Sequence, residues 1–399
     1  MKQLLLNRGV RVILAALLVL AAFRQLFQAS RWGHESWQIG DWLIHYGNGF
    51  VRRGLAGSLF RELSDWSGIA ANHLVIGFSL MAFLSLVALL LRWGSKVFSP
   101  ALLLSCVVLG FPAYQDGMVR KDCLLLLLWV GCLWAQDRIK PPMFRFLAVN
   151  LLACTGVLMH EAFAFFALPG LVLLDRGGPL DWRAVAGRAF SILPALGCLA
   201  LVIIHHGSPE TAREIHESWL PLWREIEGPR VDLTEPAAAI AALGWSAGEG
   251  IGLTKGIWGA GLYQPLCWAM VFGVSTLLVL AFTRSEPGPQ GRADLLGLLL
   301  FQLIFISPLF VVGIDYGRWL FLWVVSSMVL LLRERELPAC VGARVHACLE
   351  WSPIRGVLDR LSGHEWVFLL FGVPVLWSLR NFLTAGPLPH HVWHWVNSF

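Results

Sequence analysis

Long apolar runs separated by short polar segments set the pattern of this chain. A helix of roughly 20 apolar residues crosses a membrane core about 30 Å thick. We predict eleven spans, at residues 11–29, 70–91, 98–113, 123–136, 146–159, 162–174, 189–204, 265–283, 295–313, 319–333 and 366–379. Two pairs of short runs, 98–113 with 123–136 and 146–159 with 162–174, are compatible with tilted helices or with re-entrant hairpins. The pattern predicts an all-α, polytopic membrane helix bundle, with residues 1–399 as a single integral-membrane domain.

The composition favours a membrane protein over a soluble one. Apolar residues make up 57% of the 399 residues and charged residues only 14%, whereas a soluble domain carries about a quarter charged residues. The formal net charge of +5 is modest and gives no reason to expect a nucleic-acid partner. The Cys residues form no CxxC pair, and we expect neither a metal nor another cofactor.

The distribution of basic residues predicts the orientation. With the N-terminus inside, 18 of the 31 Lys and Arg residues fall in cytoplasmic segments, and this bias predicts an N-in, C-out topology. The N-terminal apolar run lacks a small-residue cleavage site, so we expect it to remain as the first span.

The first external loop, residues 30–69, carries a second periodicity. Val51, Leu55, Leu59 and Leu63 recur every four residues, which predicts an amphipathic helix lying in the membrane interface.

Two other connecting segments are long. Residues 205–264 form a large external loop with one predicted helix at 209–226. Residues 334–365 form a long cytoplasmic loop.

Charged clusters lie beside the spans on the predicted outer face, where charge is costly and usually functional. In the first loop, Asp41 is followed by Arg52 and Arg53. A carboxylate can act as a general base, and guanidinium groups bind phosphate oxygens bidentately. Alternatively, the arginines reach lipid headgroups, and Asp41 caps a helix or pairs locally.

A second cluster contains Asp116, Arg120, Lys121 and Asp122. Two adjacent cations at the outer face oppose the positive-inside bias. Binding of a lipid-linked phosphate would account for them, and local pairing of Asp with Arg is the alternative.

The remaining clusters are His160–Glu161 and Asp315 with Arg318. A glutamate between two short apolar runs must be paired or have a raised pKa, which suits proton transfer, and a buried His–Glu contact is the structural alternative. Asp315 and Arg318 can pair within one helical turn, or Arg318 can bind an anion. The second His of an HExxH motif does not follow His160, so no metal site is predicted.

The layout resembles integral-membrane GT-C-type glycosyltransferases and O-antigen polysaccharide polymerases. The resemblance covers most of the chain in topology, although no DxD signature is present. It rests on Asp41, Arg52, Arg53, the loop 205–264 and the segments NGFVRRGL, VRKD, HEAFAF and DYGRW. It implies a multi-pass protein of the bacterial inner membrane that transfers a sugar or oligosaccharide from a polyprenyl-(pyro)phosphate donor to an acceptor hydroxyl at the extracytoplasmic face.

The resemblance also suggests roles for the clustered residues. Asp41 or Glu161 would be the general base, with His160 as a further catalytic residue. The substrate-binding residues would be Arg52, Arg53, Asp116, Arg120, Lys121, Asp315 and Arg318. The expected partners are a polyprenyl-linked glycan substrate, membrane lipids and other envelope-glycan assembly proteins.

Three other functions are compatible with the sequence. A transporter or flippase of lipid-linked glycans would need cations spread along a path through the membrane, whereas these cluster on one side. A membrane acyltransferase would use His160 as its base and would need a cytoplasmic route for the acyl donor. A structural subunit of an envelope assembly would need no chemistry in the clusters.

Overall fold

A computed structural model of the chain describes residues 2–174, 182–229, 231–259, 263–284, 290–335, 337, 339–349 and 352–396. Within these ranges the chain forms helices joined by short loops and contains no β-strand. The predicted all-α class is confirmed.

The helices are short in several places where the sequence predicts long ones. In the first half of the chain they are α1 (Lys2–Ala29), α2 (Trp37–Leu43), α3 (Gly54–Ser67), α4 (Ala71–Leu89), α5 (Pro100–Leu104), α6 (Gly110–Tyr114), α7 (Asp122–Arg138), α8 (Pro142–Met159), α9 (Ala162–Phe166), α10 (Leu168–Leu173), α11 (Trp182–Ser191) and α12 (Leu193–Ile204). In the second half they are α13 (Pro209–Ser218), α14 (Leu220–Glu227), α15 (Ala238–Ala241), α16 (Ala247–Gly259), α17 (Tyr263–Ala281), α18 (Gln290–Val312), α19 (Tyr316–Leu332), α20 (Ala339–Leu349), α21 (Ser352–Leu361), α22 (Val367–Leu370), α23 (Leu379–Thr384) and α24 (Pro387–Val396).

Five helical segments in the described part of the chain are long and apolar enough to cross a membrane. They are Leu5–Ala29, Ala71–Gly94, Pro142–Met159, Gln264–Ala281 and Gly291–Val312. A sixth is added if α11 and α12, which meet at a bend of 62°, form one broken span. The predicted count of eleven is therefore not supported, although the structure has the helices expected of a membrane protein.

The missing spans have two physical causes. The run 98–113 is divided into α5 and α6, and the run 162–174 is divided into α9 and α10. In the run 366–379 the helix α22 ends at Leu370, and helix resumes only at α23. Gly and Pro residues interrupt these apolar runs, and both residue types disfavour a continuous helix. Such irregular backbone is tolerated at membrane depth only where protein surrounds it.

The other two missing spans, α7 and α19, are helices of 17 residues, one residue shorter than the shortest of the five segments above. All residues of α19 from Tyr316 to Leu330 are buried, and a helix that is apolar on every face belongs in the interior. The two helices pack together and begin at the same end of the bundle. An ion pair joins Asp122 to Arg318 at their beginnings, and Asp137 pairs with Arg333 at their ends.

The amphipathic helix predicted in the first loop is present as α3. Ala56, Gly57 and Phe60 are buried in the bundle, whereas Leu63 is 45% exposed and Trp66 is 85% exposed. Val51 precedes the helix and is buried in the turn that leads to it. One apolar face therefore packs against protein and the other is free to contact lipid.

The prediction of a single helix at 209–226 is wrong, because the chain forms α13 and α14 there. The division falls at Trp219, just before Pro221. Proline has no N–H to donate and is tolerated only in the first turn of a helix, so a new helix begins at Leu220.

Gly57 controls how closely α3 approaches the end of α2. Its N–H donates to the Ile44 carbonyl oxygen at 3.1 Å, and an added Cβ would lie 2.2 Å from that oxygen. We expect Gly57→Ala to lower the stability by about 1–3 kcal/mol, because backbone must move. Thermal unfolding in detergent measures the change. The matched control is Gly77→Ala in α4, where nothing lies within 4 Å of the added Cβ, and equal melting temperatures for both variants would contradict the role of Gly57.

Candidate functional site

The charged residues predicted from the sequence meet at one end of the bundle. Helices α7 and α19 begin there and α8 ends there, while α2 and the turn before α3 lie beside them. We call Asp41, Arg53, Lys121, His160 and Glu161 the carboxylate cluster. These residues come from three separate stretches of the sequence, so the fold has gathered them.

Arg53 is the centre of the carboxylate cluster. Its Nε donates to Glu161 Oε2 at 2.8 Å, and its Nη2 donates to Glu161 Oε1. Its Nη1 donates to Asp41 Oδ1 at 3.2 Å. One guanidinium group therefore binds two carboxylates, one of them bidentately, which the planar fork of arginine permits and the ammonium of lysine does not.

The backbone of Arg53 is in the left-handed region, with φ of 64°, immediately before α3. This conformation is uncommon for a residue with a Cβ and costs about 1–3 kcal/mol. Residues held in this way concentrate at functional sites. Here the conformation accompanies the contact of the guanidinium with both carboxylates.

Lys121 is fully buried beneath Asp41. Its ammonium donates to the Asp41 carbonyl oxygen at 2.7 Å and to the Met159 carbonyl oxygen at 3.1 Å, and it lies 3.4 Å from Asp41 Oδ2. Burial lowers the pKa of Lys121 to about 8, although Asp41 opposes the shift. The ammonium thus ties the end of α8 to α2.

Both carboxylates of the cluster are ionised at neutral pH. Burial favours the protonated form of Asp41, but Lys121 and Arg53 outweigh it and hold its pKa below the usual value. Burial likewise favours the protonated form of Glu161. The charge of Arg53 outweighs this effect and holds the pKa of Glu161 well below its usual range. The side chain of Glu161 is 22% exposed and that of Asp41 is 13% exposed. Glu161 is therefore the more accessible carboxylate.

His160 is neutral, and its one ring N–H makes no hydrogen bond to a described residue. Burial and the adjacent Arg53 hold its pKa well below the usual value. Its Nδ1 accepts the N–H of Ala162 at 3.1 Å, so the ring proton is on Nε2. That buried Nε2 has no hydrogen-bond partner among the described residues, and a substrate oxygen would satisfy it.

The remaining predicted pairs lie next to the carboxylate cluster. Arg318 Nε donates to Asp122 at 2.7 and 2.9 Å, and Arg120 Nη1 donates to Asp315 at 3.0 Å. Arg318 also lies 3.9 Å from Asp315, so the two pairs are connected. Arg318 is 6% exposed, and its ion pair with Asp122 joins α19 to α7.

Arg52 points away from its neighbour Arg53. Its Nη2 donates to the Ala242 carbonyl oxygen at 2.7 Å, and its backbone N–H donates to the His205 carbonyl oxygen at 3.0 Å. Arg52 therefore fastens the turn before α3 to the segment 205–264.

Asp116 lies apart from the carboxylate cluster, in the lining of a cavity that was not predicted from the sequence. The cavity has a volume of about 690 Å³ and lies between α1, the α6–α7 turn and the C-terminal helices. Its lining includes Arg24, Arg31, Arg120 and Arg380, and we call it the arginine cavity. Burial raises the pKa of Asp116, although the charges of Arg24 and Arg120 oppose the shift.

Two signals in the sequence point to this cavity. Arg24 interrupts the first apolar run, and an arginine in such a run is itself evidence of function. His390 and His394 lie near the C-terminus with Trp393 between them. The fold brings these residues together by packing α24 against α1.

No protein-family model, curated protein or solved structure matches this chain.

Replacing Arg53 by Gln is expected to destabilise the protein by about 3 kcal/mol at pH 7, because it leaves buried carboxylates without their partner. The folded-state pKa of Glu161 is depressed. The contact therefore stabilises the fold fully above about pH 4.3, and this stabilisation is lost as the pH falls through the folded-state pKa. In the variant, burial without the guanidinium raises the pKa of Glu161. Glu161 then takes up a proton as the pH falls from 7 towards 4.3, so the difference between wild type and variant should shrink over that range.

Thermal unfolding of the purified protein between pH 4 and 7.5 measures this difference. The double variant Arg53→Gln, Glu161→Gln removes one of the two unpaired charges and should recover part of the stability. A double variant no more stable than the single variant, with a pH-independent penalty, would show that the ion pair is not the cause.

Proposed function

We propose that the protein is a membrane glycosyltransferase or polysaccharide polymerase that uses a polyprenyl-(pyro)phosphate-linked sugar donor. The observation that carries the proposal is the convergence of Asp41 and Glu161 on the single guanidinium of Arg53, with Lys121 and His160 beside them. A buried group of acids and cations at the end of a membrane bundle suits proton transfer next to a phosphate leaving group.

Glu161 is the preferred general base because it is the more accessible carboxylate. The acceptor hydroxyl gives its proton to Glu161 as its oxygen bonds to the anomeric carbon of the donor. The bond from that carbon to the phosphate oxygen breaks, and the polyprenyl (pyro)phosphate leaves with the electron pair. Nε2–H of His160 is placed to donate to a substrate oxygen.

Arg53 couples donor binding to base strength. A carboxylate held by a guanidinium has a low pKa and is a weak base. A phosphate that draws the fork of Arg53 from Glu161 removes the contact that lowers its pKa. Glu161 then becomes a stronger base when the leaving group is present, and Asp41 keeps the guanidinium in position.

The assignment is tested with purified protein reconstituted in liposomes. The probe is the pool of polyprenyl-diphosphate-linked oligosaccharides extracted from membranes of the source organism. Wild type should form new glycosidic bonds and release polyprenyl diphosphate. Glu161→Gln should lower the rate by about 10²–10⁴-fold, because it removes the base.

The matched control is Glu62→Gln, which makes the same change at an exposed position on α3. It should leave the rate unchanged. Normal product from both Glu161→Gln and Asp41→Asn would overturn the proposed site. Transfer of intact donor across the bilayer with no new glycosidic bond would instead identify a transporter.

We place the carboxylate cluster at the extracytoplasmic face of a bacterial inner membrane, with the N-terminus inside. The cluster lies at the end of the bundle where α8 ends, and the beginning of α8 is at the opposite end. The excess of basic residues near the latter end supports a cytoplasmic location for it.

This orientation predicts the labelling of introduced cysteines in intact cells. Asn48→Cys, beside the cluster, should react with a membrane-impermeant maleimide added outside. Met143→Cys, 66% exposed in the first turn of α8, should react only after the cells are opened. The chain without an introduced cysteine is the control, and the reverse labelling pattern would place the cluster in the cytoplasm.

A further inference from the structure

The arginine cavity has an excess of positive charge. Four arginines line it against one lining carboxylate, Asp116. Of the four, only Arg120 forms an ion pair with a described carboxylate, Asp315. The other three, Arg24, Arg31 and Arg380, face a cavity of about 690 Å³, a volume typical of ligand pockets.

One of these guanidinium groups has unused hydrogen-bonding capacity. Nη1 of Arg24 is buried and has no hydrogen-bond partner among the described residues. A buried donor of this kind lowers the stability unless a ligand satisfies it. Arg24 lies five residues before the end of the span Leu5–Ala29, and an arginine within such a span marks a candidate functional site. The position is therefore best explained by an anion that is bound when the protein functions.

Two more arginines of the cavity, Arg31 and Arg380, lie against aromatic rings. The guanidinium of Arg380 lies 4.5 Å from the ring centre of Trp393, and that of Arg31 lies 4.3 Å from the ring centre of Phe27. Stacking of this kind fixes the guanidinium plane and leaves its edge free for hydrogen bonds.

The histidines of α24 respond to the same positive surroundings. Burial, together with nearby His394 and Arg24, lowers the pKa of His390 to about 3. Burial and Arg24 lower the pKa of His394 to about 4. Both rings are neutral at pH 7, so they are available as hydrogen-bonding groups rather than as further cations.

We propose that the arginine cavity binds a phosphate or diphosphate monoester through Arg24, Arg31, Arg120 and Arg380. Several guanidinium forks facing one volume match a group with many terminal oxygens and two or more negative charges. Phe23 and Phe27, exposed on the adjacent surface of α1, offer an apolar surface for the tail of a lipid-linked phosphate.

The cavity is connected to the carboxylate cluster but is separate from it. Arg120 lines the cavity and pairs with Asp315, which lies beside Arg318. Arg318 pairs with Asp122, next to Lys121 of the cluster. The binding inference does not require glycosyl transfer, and its test measures affinity alone, so it can fail or succeed independently of the proposed reaction.

The test uses full-length protein in phosphatidylcholine nanodiscs and two probes, inorganic pyrophosphate and farnesyl diphosphate. Calorimetric titration should show binding of a diphosphate probe to wild type. Arg24→Gln and Arg380→Gln should each weaken that binding by about tenfold or more, because each removes a charge-assisted hydrogen bond. Arg145→Gln, an exposed position on α8 outside the cavity, should bind as wild type does.

The two probes distinguish the source of the phosphate. Tighter binding of farnesyl diphosphate identifies a lipid-linked ligand, and equal or tighter binding of pyrophosphate identifies a soluble one. Absence of binding by wild type, or unchanged affinity in both arginine variants, would overturn the proposal. Arg380 is exposed on the short helix α23, so Arg380→Gln keeps the test decisive if Arg24→Gln fails to fold.

Discussion

The arrangement of the site depends on a single guanidinium group. Burying a carboxylate without a partner is prohibitively costly. Arg53 offsets this cost for Asp41 and Glu161, because its guanidinium pairs with both. The left-handed backbone of Arg53 and the close approach at Gly57 lie next to these contacts. Through these contacts one side chain connects α2, the turn before α3 and the residue pair that follows α8.

The residues of the carboxylate cluster could be singled out from the sequence, but the pairs that they form could not. Asp41, Arg53, Lys121 and Glu161 stand out because charge in or beside an apolar run is costly and often functional. Their spacing does not show which cation binds which carboxylate, since those contacts join residues up to 108 positions apart. Arg52 and Arg53 illustrate the limit: adjacent in sequence, they bind on different sides of the same turn.

The architecture could be predicted only in outline. Hydropathy locates apolar runs but does not fix where each helix begins and ends, and α7 and α19, which were predicted as spans, have 17 residues, one fewer than the shortest of the five spanning segments. The arginine cavity was missed for another reason. Its walls come from the first helix, the α6–α7 turn and the last two helices, and only tertiary packing brings these together. Arg380 carries no sign in its own sequence surroundings that it faces Arg24.

The two ion pairs that join α7 to α19 have a mechanical consequence. Along each helix the paired residues are 15 positions apart, from Asp122 to Asp137 and from Arg318 to Arg333, which is about 22 Å at the rise of an α-helix. Sliding one helix past the other by a turn would break both pairs at once and expose four buried charges to apolar surroundings. The two helices therefore form a rigid pair that cannot slide along each other. Any opening that admits a bulky ligand has to come from the helices arranged around it.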